Sequence, residues 1–130
     1  MLKPFRTSPV RAAAILTTDY VYYTIENTEN LPIQEYQQMT LKCGFTKGGS
    51  SGISITVETK DMEESVWFPE TSQQPTTSKI ELYPVPYENA NDGNFKIQVP
   101  ISCYAVRIGV KALVSAVGTS LAMTAKFNQL

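Results

Sequence analysis

The sequence predicts an all-β protein, an antiparallel β-sandwich of about eight strands. Three observations carry that expectation. Apolar and polar residues alternate through most of the chain, and side chains on a strand point to opposite faces in turn. Turn-forming residues recur roughly every 8–12 residues, the spacing of a sandwich or barrel. Apolar residues at helical spacing are hard to find. The chain has 130 residues, the size of one domain, and can bury roughly 65–70% of the surface its unfolded form exposes. It needs neither disulfide nor metal to fold.

Taken in order, residues 1–11 read as an extended N-terminal arm. Pro4 and Pro9 interrupt regular structure there, and Lys3 and Arg6 make it mildly basic. Such a segment either frays or docks on a neighbouring subunit through Lys3, Phe5 and Arg6. Residues 12–130 make the sandwich. Segments 13–18 and 20–25 are rich in β-branched and aromatic residues, as strands are. In 38–45, Met39, Leu41, Cys43 and Phe45 oppose Thr40, Lys42 and Gly44. In 52–60, Ile53, Ile55 and Val57 oppose Ser54, Thr56 and Glu58. Segment 65–68 is a short strand stopped by Pro69, and 79–83 runs until Pro84 and Pro86 end it. In 94–101, Phe95, Ile97, Val99 and Ile101 form one face; in 104–111, Tyr104, Val106, Ile108 and Val110 do. The last strand sets Leu121, Met123, Ala125 and Phe127 against Ala122, Thr124 and Lys126. Glycine, serine, acids and prolines fill the connections at 47–52, 61–64, 71–78, 88–94 and 115–119. Strand order stays open between a jelly-roll-like and an immunoglobulin-like arrangement.

The chemistry available is narrow. The chain has no histidine, which removes His-based acid–base catalysis, the Ser-His and Cys-His nucleophilic sites and most zinc and iron sites. Cys43 and Cys103 are far apart and lack a CxxC partner. They suit one bridge in a secreted protein or two buried thiols in a cytoplasmic one. No phosphate-binding glycine motif precedes a helix. Glu58, Asp61, Glu63 and Glu64 surround one turn, and Glu88–Asn94 only superficially resembles a calcium loop; both read as ordinary turns. No catalytic residue, cofactor or metal is expected. The net charge is −1, so no global field draws the chain to nucleic acid or to a membrane. No segment has signal-peptide or transmembrane character, which leads to the expectation of assembly inside a cell.

The aromatics mark the candidate contacts. Tyr20 and Tyr22 share one face of their strand, with Val21 and Tyr23 on the other, so both faces are apolar or aromatic. Tyr87 follows Pro84 and Pro86. These tyrosines suit either a core or an interface. Trp67 and Phe68 read as core.

Two stretches together carry a family resemblance. One is the strand Ile53-Ser-Ile-Thr-Val-Glu-Thr-Lys60, an acidic turn, and a short strand ending Trp67-Phe68-Pro69. The other is Tyr104-Ala-Val-Arg-Ile-Gly-Val-Lys-Ala112 followed by Gly118-Thr-Ser-Leu-Ala-Met-Thr-Ala-Lys-Phe127. Over residues 40–130 the chain resembles the small β-sandwich structural proteins of tailed bacteriophages, which decorate capsids or form head, neck and tail parts. The resemblance places Trp67, Tyr104 and Arg107 in the framework and carries over no functional residue. It implies a non-enzymatic virion protein assembled in the host cytoplasm, present in many copies or as a homo-oligomer. Its partners would be capsid, neck or tail proteins, without membrane or direct nucleic-acid contact. Loop 73–78 and the prolines Pro84 and Pro86 fall outside that pattern and are where a specific neighbour would bind. The competing expectation is a carbohydrate- or receptor-binding module of the same architecture.

Overall fold

A computed structural model of the chain describes residues 5–62, 64–75, 80–84 and 86–129. Eleven strands follow in order: β1 (Arg6–Ala14), β2 (Val21–Glu26), β3 (Gln38–Thr46), β4 (Gly52–Lys60), β5 (Phe68–Pro69), β6 (Thr71–Pro75), β7 (Ile80–Pro84), β8 (Tyr87–Asn89), β9 (Gly93–Pro100), β10 (Ala105–Leu113) and β11 (Ser120–Asn128). Among the described residues a single 3-10 turn, Ile33–Glu35, sits between β2 and β3. One sheet runs β1-β11-β3-β9. The other runs β2-β10-β4, with β5 and β8 both against the far edge of β4.

The strands pair from the chain ends inwards: β1 with β11, β2 with β10, β3 with β9, and β4 with β5 and β8, all antiparallel. This is one long hairpin wound over itself, and the β11–β3 and β10–β4 ladders close the winding. The order is that of a jelly roll. An immunoglobulin-like sandwich would instead set four strands against three in a different sequence. β5 and β8 are two halves of one edge strand. Phe68 and Pro69 pair with Thr59 and Glu58, the Glu70 N–H donates to the Val57 carbonyl at 3.0 Å, and Tyr87–Asn89 continue along Ile55–Ile53. Residues 71–86, with the β6–β7 hairpin, are an excursion inserted into that edge.

The alternation anticipated for the long strands is what fills the core. Met39, Leu41, Cys43 and Phe45 of β3 and Leu121, Met123, Ala125 and Phe127 of β11 are buried from one side. Ile53, Ile55 and Val57 of β4 and Val106, Ile108, Val110 and Ala112 of β10 are buried from the other. Tyr36, from the 3-10 turn, closes one end against Phe127, with ring centroids 6.4 Å apart. Burial of each such side chain stabilises the fold by about 1.5–3 kcal/mol before entropy is counted.

Four expectations need correction. Residues 6–11 are not outside the sandwich: they begin β1, which pairs with β11. Pro9 is tolerated because β1 is an edge strand with one unpaired side. The register breaks around Arg11, and it is this irregular, little-buried edge whose sequence shows no alternation. The strand foreseen at 13–18 therefore ends at Ala14. Residues 65–67 are not strand; only Phe68–Pro69 pairs with β4. The segment 71–78, read as a loop, is strand as far as Pro75; residues 76–78 lie outside the described residues.

Cys43 and Cys103 are both free and buried. Burial pushes the Cys43 thiol up to about 12. The Cys103 thiol rises to about 11, chiefly by burial and secondarily by the charge of Asp61.

Two outcomes follow for stability. Phe127→Ala opens a cavity at a fully buried position and should cost about 3–5 kcal/mol in chemical denaturation. Both thiol pKa values are raised on folding, so the stability they confer is whole below the unfolded thiol pKa. It should drain away as pH climbs from about 9 towards about 11 to 12. A denaturant midpoint that falls over that window by clearly less in a Cys43→Ala/Cys103→Ala chain than in the parent checks the assignment, since the raised Tyr87 hydroxyl loses stability there in both.

Candidate interface on the outer faces of the sandwich

The outer face of the five-stranded sheet carries a stripe of alternating cations and aromatic rings. β10 is central, so its outward residues Arg107, Gly109 and Lys111 meet β2 on one side and β4 on the other. Arg107 stands directly across from Glu58, and its Nη2 donates to both carboxylate oxygens at 2.9 Å. Their side chains are 28% and 15% exposed, so this pair is shielded more than an ordinary surface ion pair. The same guanidinium lies 4.5 Å from the Tyr22 ring centroid and 5.0 Å from that of Trp67. Lys60 stands 4.8 Å over Trp67, and Lys111 4.6 Å over Tyr20. Tyr20 and Tyr22 are 6.1 Å apart, and the Tyr20 hydroxyl shares a 2.8 Å hydrogen bond with Ser54.

Gly109 makes the stripe possible. It pairs directly with Tyr22, and a Cβ there would come within 2.7 Å of the Tyr22 ring and 2.6 Å of Thr56 Oγ1. The tyrosine ring thus packs closely against the backbone of the central strand at Gly109. Beneath the stripe, Thr56 Oγ1 and Arg107 Nε are buried without a hydrogen-bond partner among the described residues.

The outer face of the four-stranded sheet is different. Lys42 and Lys96 sit directly opposite each other on β3 and β9. With Lys126 they are its charged residues, and none of the outward positions of β3, β9 and β11 is acidic. Gly44 and Ala122 leave a shallow trough of about 680 Å³ between them. A second crevice, about 270 Å³, opens at the sandwich edge between β8 and β9 and is lined by Tyr87, Phe95 and Ile97 with Glu88, Asn89 and Lys96.

The residues singled out from the sequence do not converge on one place. Lys3 and the side chain of Pro84 lie outside the described residues. Phe5 is exposed under Lys126, whose Nζ is 4.5 Å from the ring centroid. Arg6 opens β1 opposite Phe127 and is exposed. Tyr20 and Tyr22 join the stripe. Tyr23 turns to the other face and packs against the core, with Arg11 5.8 Å above its ring. Pro86 is exposed. Tyr87 is half-buried, and its hydroxyl donates to Glu70 at 2.6 Å; burial, then that bond and the charge of Glu70, raise its pKa. Trp67 is only half-buried and Phe68 is 54% exposed, so neither is core as foreseen.

The acidic segments behave as turns. Glu64 Oε2 accepts the Asp61 N–H at 2.8 Å, Asn89 and Asn91 bond each other, and Asp92 accepts the Lys47 N–H. Among the described residues no three His, Cys, Asp or Glu side chains group to hold a metal ion, and no helix is long and apolar enough to cross a membrane. Compared with protein-family models and with curated proteins, the sequence matches none.

Gly109→Ala should destabilise the chain by about 1–3 kcal/mol through overpacking. In the Tyr22→Ala background the same change should cost far less. A double-mutant cycle in urea reads the coupling between the two positions; additive effects would show that the ring does not rest on this strand.

Proposed function

We propose that the chain is a non-enzymatic structural component of a bacteriophage virion, a capsid decoration or head–tail accessory protein that acts through protein–protein contacts. The observation that supports this reading most is the strand order. The jelly roll is a fold of viral capsid domains, although lectins and other proteins share it. The outer surface agrees. Cations lie over the Tyr22 and Trp67 rings, which takes up part of their stacking surface, while Tyr22 stays 46% exposed and is the position at which the carbohydrate-binding alternative is tested. Exposed apolar residues are instead scattered over loops and edges: Met62, Val66, Phe68 and Leu82 on one flank of β4 and the inserted hairpin, Ile15, Val114 and Val117 elsewhere. Such residues suit contacts with several neighbours more than a single pocket.

Quantitative mass spectrometry of purified particles, from a culture carrying the gene, tests the proposal. The chain should be present at a fixed ratio to the major shell protein and survive a high-salt wash. Its absence from particles, or saturable binding on a glycan array lost in Tyr22→Ala, would overturn the structural reading.

A further inference from the structure

The whole chain holds 12 acids against 11 bases, yet the outer face of the four-stranded sheet has three lysines and no acid on β3, β9 and β11. Register sets them close together. Thr124, Lys42 and Lys96 form one row across β11, β3 and β9. Lys126, Thr40 and Gln98 form the row on one side of it, and Ala122, Gly44 and Asn94 the row on the other.

Like charges directly opposite each other on a ladder destabilise a sheet. Lys42 and Lys96 are exposed, and among the described residues neither has an ion-pair partner. The five-stranded sheet treats its cations differently: Glu58 pairs with Arg107, and Lys60 and Lys111 lie over Trp67 and Tyr20. The charge of Lys42 and Lys96 thus serves no contact within the fold. Lys126 rests against Phe5 and keeps its charge.

Shape and size narrow the occupant. Gly44 and Ala122 keep the floor low beside the lysine row, which leaves the trough of about 680 Å³, with Asn94 and Thr124 among its polar lining. At ordinary strand spacing the four-stranded face measures roughly 19 Å by 30 Å, about 570 Å². That is about two-thirds of the ~800 Å² each partner buries in a standard interface. The outward positions of β3, β9 and β11 carry no large exposed apolar side chain, so charge rather than apolar burial must select the partner. Three lysines without an arginine are few for a nucleic acid, which is held through many phosphate contacts. They suit an extended acidic polypeptide. Side chains on one side of a strand recur about every 6.8 Å, and the Lys42 and Lys126 rows are separated by the same two-residue step.

We propose that this face binds an extended acidic segment of a partner protein. One carboxylate sits between Lys42 and Lys96 above the trough, and the next on the same side of the segment reaches Lys126. The proposal goes beyond the virion reading and does not rest on it, because the isolated chain carries the site.

Fluorescence anisotropy with a labelled decapeptide of alternating glutamate and threonine tests it. In about 50 mM salt the Kd should be roughly 10–100 μM, and it should weaken about fivefold by about 200 mM salt. Lys42→Gln/Lys96→Gln should weaken binding at least about tenfold, with a thermal midpoint equal or higher because repulsion is relieved. Lys96→Glu sets an acid opposite Lys42, so it should raise the midpoint and abolish binding. Ala122→Gln fills the trough without changing charge and should weaken binding about threefold. Adding Glu26→Gln/Glu29→Gln to the double lysine variant restores the net charge away from this face and should not restore binding. Three results would overturn the proposal: no binding below about millimolar peptide, binding restored by Glu26→Gln/Glu29→Gln, or tighter binding of an oligothymidylate of equal charge.

Discussion

The backbone of β10 is hydrogen-bonded on both sides, to β2 and to β4, and the two registers are locked together by the residues it presents inward. Ile108 lies opposite Tyr23 on one side and Val57 on the other. A slip of one residue on either side would turn Val106, Ile108 and Val110 out of the core. Because that slip is so costly, Arg107 is held opposite Glu58 and Gly109 opposite Tyr22. The cation–aromatic stripe follows from the inner face's demand for burial. The outer residues inherit their neighbours from a register chosen by the core.

The wound-hairpin topology has a second consequence. Since the strands pair from the chain ends inwards, residues more than a hundred positions apart meet, as in the bond between Leu16 and Thr119. Alternate connections collect at the same end of the sandwich. The close approach of Gly48 to Gly118 depends on that gathering. An edge strand can meanwhile accept an insertion without disturbing the core. The β6–β7 hairpin interrupts the strand formed by β5 and β8, and the pairing with β4 resumes afterwards.

Charge is distributed unevenly although the whole chain is nearly neutral. One outer face gathers Lys42, Lys96 and Lys126 without an acid on its outward β3, β9 and β11 positions, while the other balances Arg107, Lys60 and Lys111 with Glu58 and aromatic faces. The two faces are therefore chemically distinct surfaces on a rigid frame. Among the described residues, neither groups three His, Cys, Asp or Glu side chains that could hold a metal ion.

The sequence by itself determined the fold class, the inward face of each long strand and the narrowness of the available chemistry. Period-two alternation is a local property that each strand carries in full, and the lack of histidine needs no coordinates. It also marked Tyr20 and Tyr22 as sharing a face. Tertiary structure alone decided the rest. The jelly-roll order depends on which strands meet, and alternation is the same whatever the partner. The edge strand β1 escaped notice because an edge buries little and so needs no pattern. The large, apolar ring of Trp67 predicts a core residue, but Arg107 and Lys60 cover it, and only register brings those cations there. Lys42, Lys96 and Lys126 gave no local signal at all, because they stand on three strands far apart in the chain and only the sheet order brings them to one face.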